Sequence, residues 1–338
     1  MAHEIQEFDG VVLHREKAWH GLGTIVENAP TPREALQIAG LDWSVEQWPL
    51  SATNGEGVKI AIPKQVMNVR TDKQHPLGVV TTGYSPIQNA ELADFCTLLA
   101  EQGDMVKIES AGSIRNGEKV WFLLKGESFS VRKKDEVTPY ILVSNGHDGG
   151  TALRCTPTTV RVVCSNTLHM VIPQKEGGRI QTAKPASYVA NHLGKVADKI
   201  EDAKRALGLY GRAMEATRSM IDQAAAKNVN REDVQRFFLE CYTRDFGAIA
   251  DNPKNAAEHK ARAKSQEAFV QYAERFDAEK SLAGATAWNA FNAYTGWSQN
   301  DRTFWKNADK ESERRISSKL FGQDSERANK SLVSALSL

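Results

Sequence analysis

The stretch KIESAGSIRNGEKVWFLLK, residues 107–125, decides how the chain is read. Two apolar-bearing runs, Lys107–Ile114 and Lys119–Lys125, flank Arg115-Asn116-Gly117-Glu118. Asn-Gly between such runs is a strong hairpin signal, because both residues tolerate the left-handed backbone of a tight turn. The stretch therefore predicts two antiparallel strands. Downstream, Thr138–Ser144 and Thr151–Cys155 read as a second pair across Asn145-Gly146-His147-Asp148-Gly149-Gly150, and Thr159–Cys164 continues the sheet into a short helix beginning near Asn166. Upstream, Asn89 is placed to cap a helix running to about Gln102, with Leu92, Phe95, Leu98 and Leu99 on one stripe and Gly103 as its stop.

Further toward the N-terminus the pattern is short and irregular. Thr31 before Pro32 predicts a capped helix through Ala39. Trp43–Pro49 alternates as a strand, Lys59–Ile62 and Gln65–Arg70 read as a hairpin around Pro63-Lys64, and Val79–Gly83 as a further strand. Past Thr182 the period lengthens to that of a helix. Tyr188–Lys227, Asn230–Tyr242, Asn255–Leu282, Thr286–Thr295 and Lys310–Leu320 are the predicted helices, followed by a Ser-rich tail expected to fray. The fold class is α+β: a twisted antiparallel sheet with a preceding helix, then a helical C-terminal half. The segments are 1–88 (small, strand-rich), 89–182 (central sheet) and 183–338 (helical).

With 338 residues, 41% apolar and 25% charged, the chain can bury a large core, and a net charge of +1 gives no global pull toward nucleic acid or membrane. The distribution is uneven. Residues 1–104 carry 7 Lys/Arg against 14 Asp/Glu, residues 105–236 carry 21 against 14, and the remainder 15 against 14. Such a division can orient the chain on a polyanion, or set the acidic part of one subunit against the basic middle of the next in a homo-oligomer; solvated helix faces are the plain alternative. Cys96, Cys155, Cys164 and Cys241 lie far apart without a C-x-x-C pair and read as reduced thiols. A polar, acidic Met1–Gly10 argues against a secretory signal, and no run approaches a membrane span, so a cytoplasmic location without membrane contact is expected.

No nucleophile elbow, His-rich metal spacing or paired acidic motif stands out, and the reading invokes no catalytic residue, cofactor or metal. The loop 145–150 can be an anion-binding nest, with His147 and Asp148 doing acid–base work, or a plain turn. Arg115, Lys119, Lys125, Arg132, Lys133, Lys134, Arg154 and Arg161 lie on or between strands that also carry Trp121, Phe122 and Tyr140. Cations interleaved with aromatics suit a single-strand groove, because phosphates need positive charge and unstacked bases need flat apolar faces. Alternation, however, sends Trp121 and Phe122 to opposite faces, so at least one belongs to a core. Trp288, Phe291 and Tyr294 step by three along one helical face, the pattern of a packing seam or an oligomer contact.

Several blocks together resemble a family of phage- and plasmid-borne proteins described only as phage/plasmid-like and of unknown function. They are Trp19-His20-Gly21-Leu22-Gly23, Tyr84 with Pro86-Ile87-Gln88-Asn89, Gly112 to Trp121, Leu153–Pro157, Arg161–Leu168 and Thr286–Asn292, spread from about residue 10 to about residue 300. The resemblance implies a mobile-element gene acting in the host cytoplasm; no catalytic residues are established for the family, so none carry over. The order of helix, antiparallel sheet and helices also resembles Rad52-type single-strand annealing proteins, which form oligomeric rings with a basic groove; that is fold analogy alone. The leading expectation is a single-stranded-DNA-binding protein for recombination or replication. Arg115, Lys119, Arg132, Lys133, Lys134, Arg154 and Arg161 would neutralise phosphates, and Trp121 or Tyr140 would stack on bases. The rival is a protein–protein module that blocks a host defence or replication factor through the acidic N-terminal segment or the aromatic C-terminal helix. A hydrolase built on His147 and Asp148 is the third reading.

Overall fold

The computed structural model describes residues 10–14, 24–102, 107–161, 166–176, 179–189, 196–302, 318 and 323–338. In chain order the elements are β1 (Val11–His14), β2 (Thr24–Val26), α1 (Pro32–Ile38), β3 (Val45–Thr53), β4 (Lys59–Arg70), β5 (His75–Thr81), α2 (Asn89–Gln102), β6 (Lys107–Ile114), β7 (Lys119–Lys125), β8 (Phe129–Val131), β9 (Asp135–Gly146), β10 (Arg154–Arg161), β11 (Asn166–His169), β12 (Val171–Glu176), β13 (Arg179–Pro185), β14 (Tyr188–Val189), α3 (Val196–Ala226), α4 (Arg231–Phe246), α5 (Ala256–Ala278), α6 (Lys280–Ala283), α7 (Ala287–Gly296) and α8 (Gln323–Ser337). The class is α+β, as the periodicity predicts. Two compact units form from interleaved stretches: residues 1–127, 140–156 and 187–209 make one, and 128–139, 157–186 and 210–338 the other.

In the first unit the decisive hairpin forms as read. β6 pairs antiparallel with β7 from Lys107↔Lys125 to Ile114↔Lys119. The turn between them holds Arg115, Asn116 and Gly117 at φ 55, 59 and 100. A Cβ on Gly117 would meet the Trp43 ring at 2.7 Å, so the position demands glycine on both counts. β7 continues antiparallel onto β9, β6 onto β1, and β1 pairs parallel with β2. α1 opens with a capping box in which Thr31 and Glu34 satisfy each other's backbone amides, and its Ala35 and Leu36 are buried.

β3, β4 and β5 form a separate three-stranded antiparallel sheet. Here the expected turn at Pro63-Lys64 is overturned: Lys59–Arg70 is one strand, and the hairpin turn lies at Asn54–Val58, where Asn54 Oδ1 accepts from the amides of Glu56 and Val58. Proline survives inside this strand because it sits at a bulge, where Lys64 takes φ 62 and the register with β3 shifts.

Three other expectations change. Asn89 is the first helical residue rather than a cap; Glu91 accepts from the Gln88 amide instead, and the Asn89 side chain turns inward. The helix predicted near Asn166 is strand β11, paired with β10 from Thr158↔His169 to Arg161↔Asn166. Tyr188 pairs with Cys155 as part of β14, and the long helix starts only at Val196. The stop at Gly103, all but residue 318 of the helix over Lys310–Leu320, Trp19 to Gly23 and Cys164 lie outside the described residues.

In the second unit the core gathers Phe237, Phe238 and Cys241 of α4, Tyr272 and Phe276 of α5, most of α7, and Ala328, Leu332 and Ala335 of α8. Asn230 caps α4 in a capping box with Asp233, Asn255 caps α5 and Thr286 caps α7, as the spacing of these residues allows. All ten residues of α7 are buried, so this aromatic helix packs inward and presents no outer face. The Ser-rich tail does not fray: it is α8, whose small residues let it lie close on α7. Serine hydroxyls there are absorbed locally, as when Ser331 donates to the Arg327 carbonyl.

Candidate nucleic-acid interface

The β6–β7 hairpin places Arg115 at its tip, where the guanidinium lies 3.9 Å from Glu118 Oε2. Burial pushes the Glu118 carboxyl up, against the pull of Arg115. Lys119 begins β7 and Lys125 ends it, about 20 Å away at the rise of a strand. Lys125 Nζ is 3.8 Å from Glu109 Oε2. Register puts Lys119, Trp121, Lys125 and Tyr140 on one face of the sheet, since Trp121 opposes Ser144 and Lys125 opposes Tyr140. Lys119 and Lys125 are half-buried on it. Trp121 and Tyr140 are buried, with the Trp121 ring packed on Gly112, so neither offers a surface for a base; Phe122 is buried on the other face.

Arg132, Lys133 and Lys134 form the turn from β8 to β9, in the second unit. Arg132 and Lys133 adopt φ 49 and 67, which reverses the chain within three residues. The Arg132 guanidinium donates to the Ala225 carbonyl at 2.8 Å, at the C-terminal end of α3 where a cation suits the helix dipole. Lys133 and Lys134 are exposed, and among the described residues no carboxylate or carbonyl engages their ammonium groups. Arg154 on β10 is likewise exposed and unengaged, whereas its neighbours Leu153 and Cys155 are buried. Arg161 closes β10 opposite Asn166, with its side chain outside the described part. The ten predicted contact residues are therefore divided between the two units, and in the first unit the paired cations stand at opposite ends of β7.

The loop 145–150 is an interior joint. His147 Nε2 lies 2.9 Å from Asn89 Oδ1, Asn89 Nδ2 donates to the Leu41 carbonyl, Asn68 Nδ2 donates to the His147 carbonyl, and the His147 amide donates to the Glu118 carbonyl. The Trp43 ring meets the imidazole edge-on at 5.4 Å. Burial lowers the His147 pKa to about 4 despite the nearby Asp148 carboxylate. Asp148 accepts from the amides of Gly150 and Thr151 and from the Thr151 hydroxyl, so the amides of the supposed nest are already engaged. A buried imidazole and a carboxylate locked in its own turn leave neither group facing a substrate. Burial also raises the Cys96 and Cys155 thiols well above their ordinary range and takes Cys241 up to about 12, which keeps all three protonated. Among the described residues no three His, Cys, Asp or Glu side chains converge as a metal-ligand group, and no helix is long and apolar enough to cross a membrane.

Two features carry no motif in the sequence. Arg70, nearly fully buried, holds Asp72 in a two-pronged ion pair, donates to the Asn116 carbonyl and lies 4.6 Å above the Trp43 ring. The Arg-x-Asp spacing within one turn was its only visible trace. The second is the β3–β4 arm, on which Trp48, Ile60 and Ile62 are exposed; alternation in Ile60-Ala61-Ile62 carries that signal, but it reads equally as a buried strand.

A family model described as Domain of unknown function (DUF932) matches residues 76–321, most of the chain. No curated protein matches, and no solved structure does.

Proposed function

The chain belongs to the DUF932 family, a membership that brings no activity with it, and from that premise we propose that the protein binds single-stranded nucleic acid through the phosphate backbone, in support of recombination or replication of mobile DNA. The observation that carries the reading is the β8–β9 turn. It presents Lys133 and Lys134 side by side, without partners, on a unit that holds 27 Lys/Arg against 21 Asp/Glu, a net +6. Unpaired, fully solvated ammonium groups need no rearrangement to meet phosphates, and each contact releases a condensed counterion. Arg154 supplies a further free cation on the first unit. Arg115 and Lys125, already beside carboxylates, contribute less, and base stacking by Trp121 and Tyr140 is not part of the proposal. Recognition would be independent of base identity.

The test is a fluorescence-anisotropy titration of the full chain with single- and double-stranded oligonucleotides at low salt. Lys133→Glu with Lys134→Glu should weaken single-strand binding at least tenfold and make the salt slope shallower by about 1.4, the change expected for two lost phosphate contacts. Undetectable binding of the wild type at low salt, or an unchanged slope in the double variant, overturns the proposal. The rival reading, a protein–protein module, is favoured by the exposed apolar arm, which lies in the acidic N-terminal segment; flat nucleic-acid titrations would leave it as the better account.

A further inference from the structure

We infer that the β3–β4 arm is the contact surface for a second copy of this chain, the two copies packing the arm's apolar face against itself across a twofold axis. The face follows from the register. Trp48 opposes Met67, Met67 opposes Val79, and Ala52 opposes Ile60. Alternation along β3 puts Trp48, Leu50 and Ala52 on one side, and so places Ile60, Ile62, Met67 and Val79 with them. The other side carries Gln47, Ser51, Thr53, Lys59 and Asn68 together with Pro49, Ala61 and Val66. Ile62 and Met67 are five residues apart and would fall on opposite sides of a regular strand. The irregularity around Lys64, with its left-handed φ of 62, puts four residues of β4 between the partners of Ser51 and Pro49 where β3 has only Leu50, and this odd excess of three restores them to the same side. A lysine in that conformation is costly, and what it maintains is one apolar run from Trp48 to Ile60, bordered by Glu46, which accepts from the Trp48 indole.

That face is open to water: Trp48 is 40% exposed, Ile60 62%, Ile62 36% and Val79 51%. Such alternation ordinarily marks a sheet with one covered side. The occupant is argued from three properties. Along the arm Glu46 and Glu56 balance Lys59 and Lys64, and Arg70 at its base is paired with Asp72, so two copies meet without repulsion, although the unit bearing it is net acidic, with 16 Lys/Arg against 21 Asp/Glu. The exposed apolar side chains amount to on the order of 400 Å² per copy, or about 800 Å² for two, the scale of a weak, concentration-dependent contact. Pro49 lies in the edge strand β3 and interrupts its donors, which disfavours strand addition at the edge and leaves face-to-face sheet packing. An isologous contact satisfies both exposed faces at once.

This inference is independent of nucleic-acid binding, since it uses neither Lys133 nor Lys134. Sedimentation equilibrium of the full chain from nanomolar to tens of micromolar should give a mass rising to twice that of one chain. Ile60→Glu with Ile62→Glu should hold the mass at one chain, and Ser51→Glu, on the polar side, should leave the doubling intact. Far-ultraviolet circular dichroism checks that the variants fold, and Ile60→Ser with Ile62→Ser serves if the charged pair does not. A wild type that stays at one chain throughout, or a doubling that survives loss of both isoleucines, overturns the inference.

Discussion

His147 shows how a polar side chain with catalytic looks can be spent on structure. Its imidazole is held neutral because burial penalises the cation, while Asn89 and Trp43 fix the ring. The folded state, with a pKa near 4, binds fewer protons than the unfolded chain, whose histidine titrates near 6.5. Stability contributed by this group is therefore complete above about pH 6.5 and is lost as the pH falls from there toward 4. The expected loss across that window is roughly 3 kcal/mol. Urea denaturation of the wild type and of His147→Gln at intervals between pH 7 and 4 measures it: the variant should be less stable at neutral pH but should lose less on acidification. Parallel curves would refute the assignment. Nothing adjacent to His147 in the chain distinguishes a buried joint from an acid–base pair, because the deciding partners, Asn68 and Asn89, are 79 and 58 residues away.

At the level of elements, four helix starts were legible, whereas the start at Tyr188, the cap at Asn89 and several strand ends were not. Thr31, Asn230, Asn255 and Thr286 cap their helices because a cap is a local event: one side chain meets an amide three residues on. Asn230→Ala should lower stability by about 1 kcal/mol, read as a shift in the denaturation midpoint at unchanged slope, and Asn230→Asp should retain most of it. The Asn116-Gly117 hairpin was legible for the same reason. The bulge at Lys64 was not, since Pro63-Lys64 reads as a turn until β3 is known to pair on both sides of it. Asn166–His169 likewise becomes a strand only because β10 offers it an edge. The tail became a helix through burial of Ala328, Leu332 and Ala335, a tertiary gain that serine-rich composition conceals.

For the molecule as a whole, α+β class and the strand-rich to helical order follow from the change of period along the chain, but the two units do not, because each is assembled from stretches far apart in sequence. The cationic set was legible as a list; whether a given cation is free depends on carboxylates such as Glu109, which the pairing of β6 with β7 brings to Lys125. Net charge is +1 and the isoelectric point about 7.7, so colloidal repulsion nearly vanishes just above neutrality. Solubility measured in low-salt buffers from pH 6 to 9 should pass through a minimum close to 7.7; a monotonic profile would mean that local patches outweigh net charge. The interleaving also has a consequence for biosynthesis. Asp135 is fully buried and accepts from Trp288 Nε1, a partner 153 positions later. At ordinary elongation rates it leaves the ribosome on the order of ten seconds before that indole exists. The strand that bears it must wait, exposed, for the helices that will enclose it, and during that interval the nascent polypeptide depends on whatever shields unfinished segments in its host.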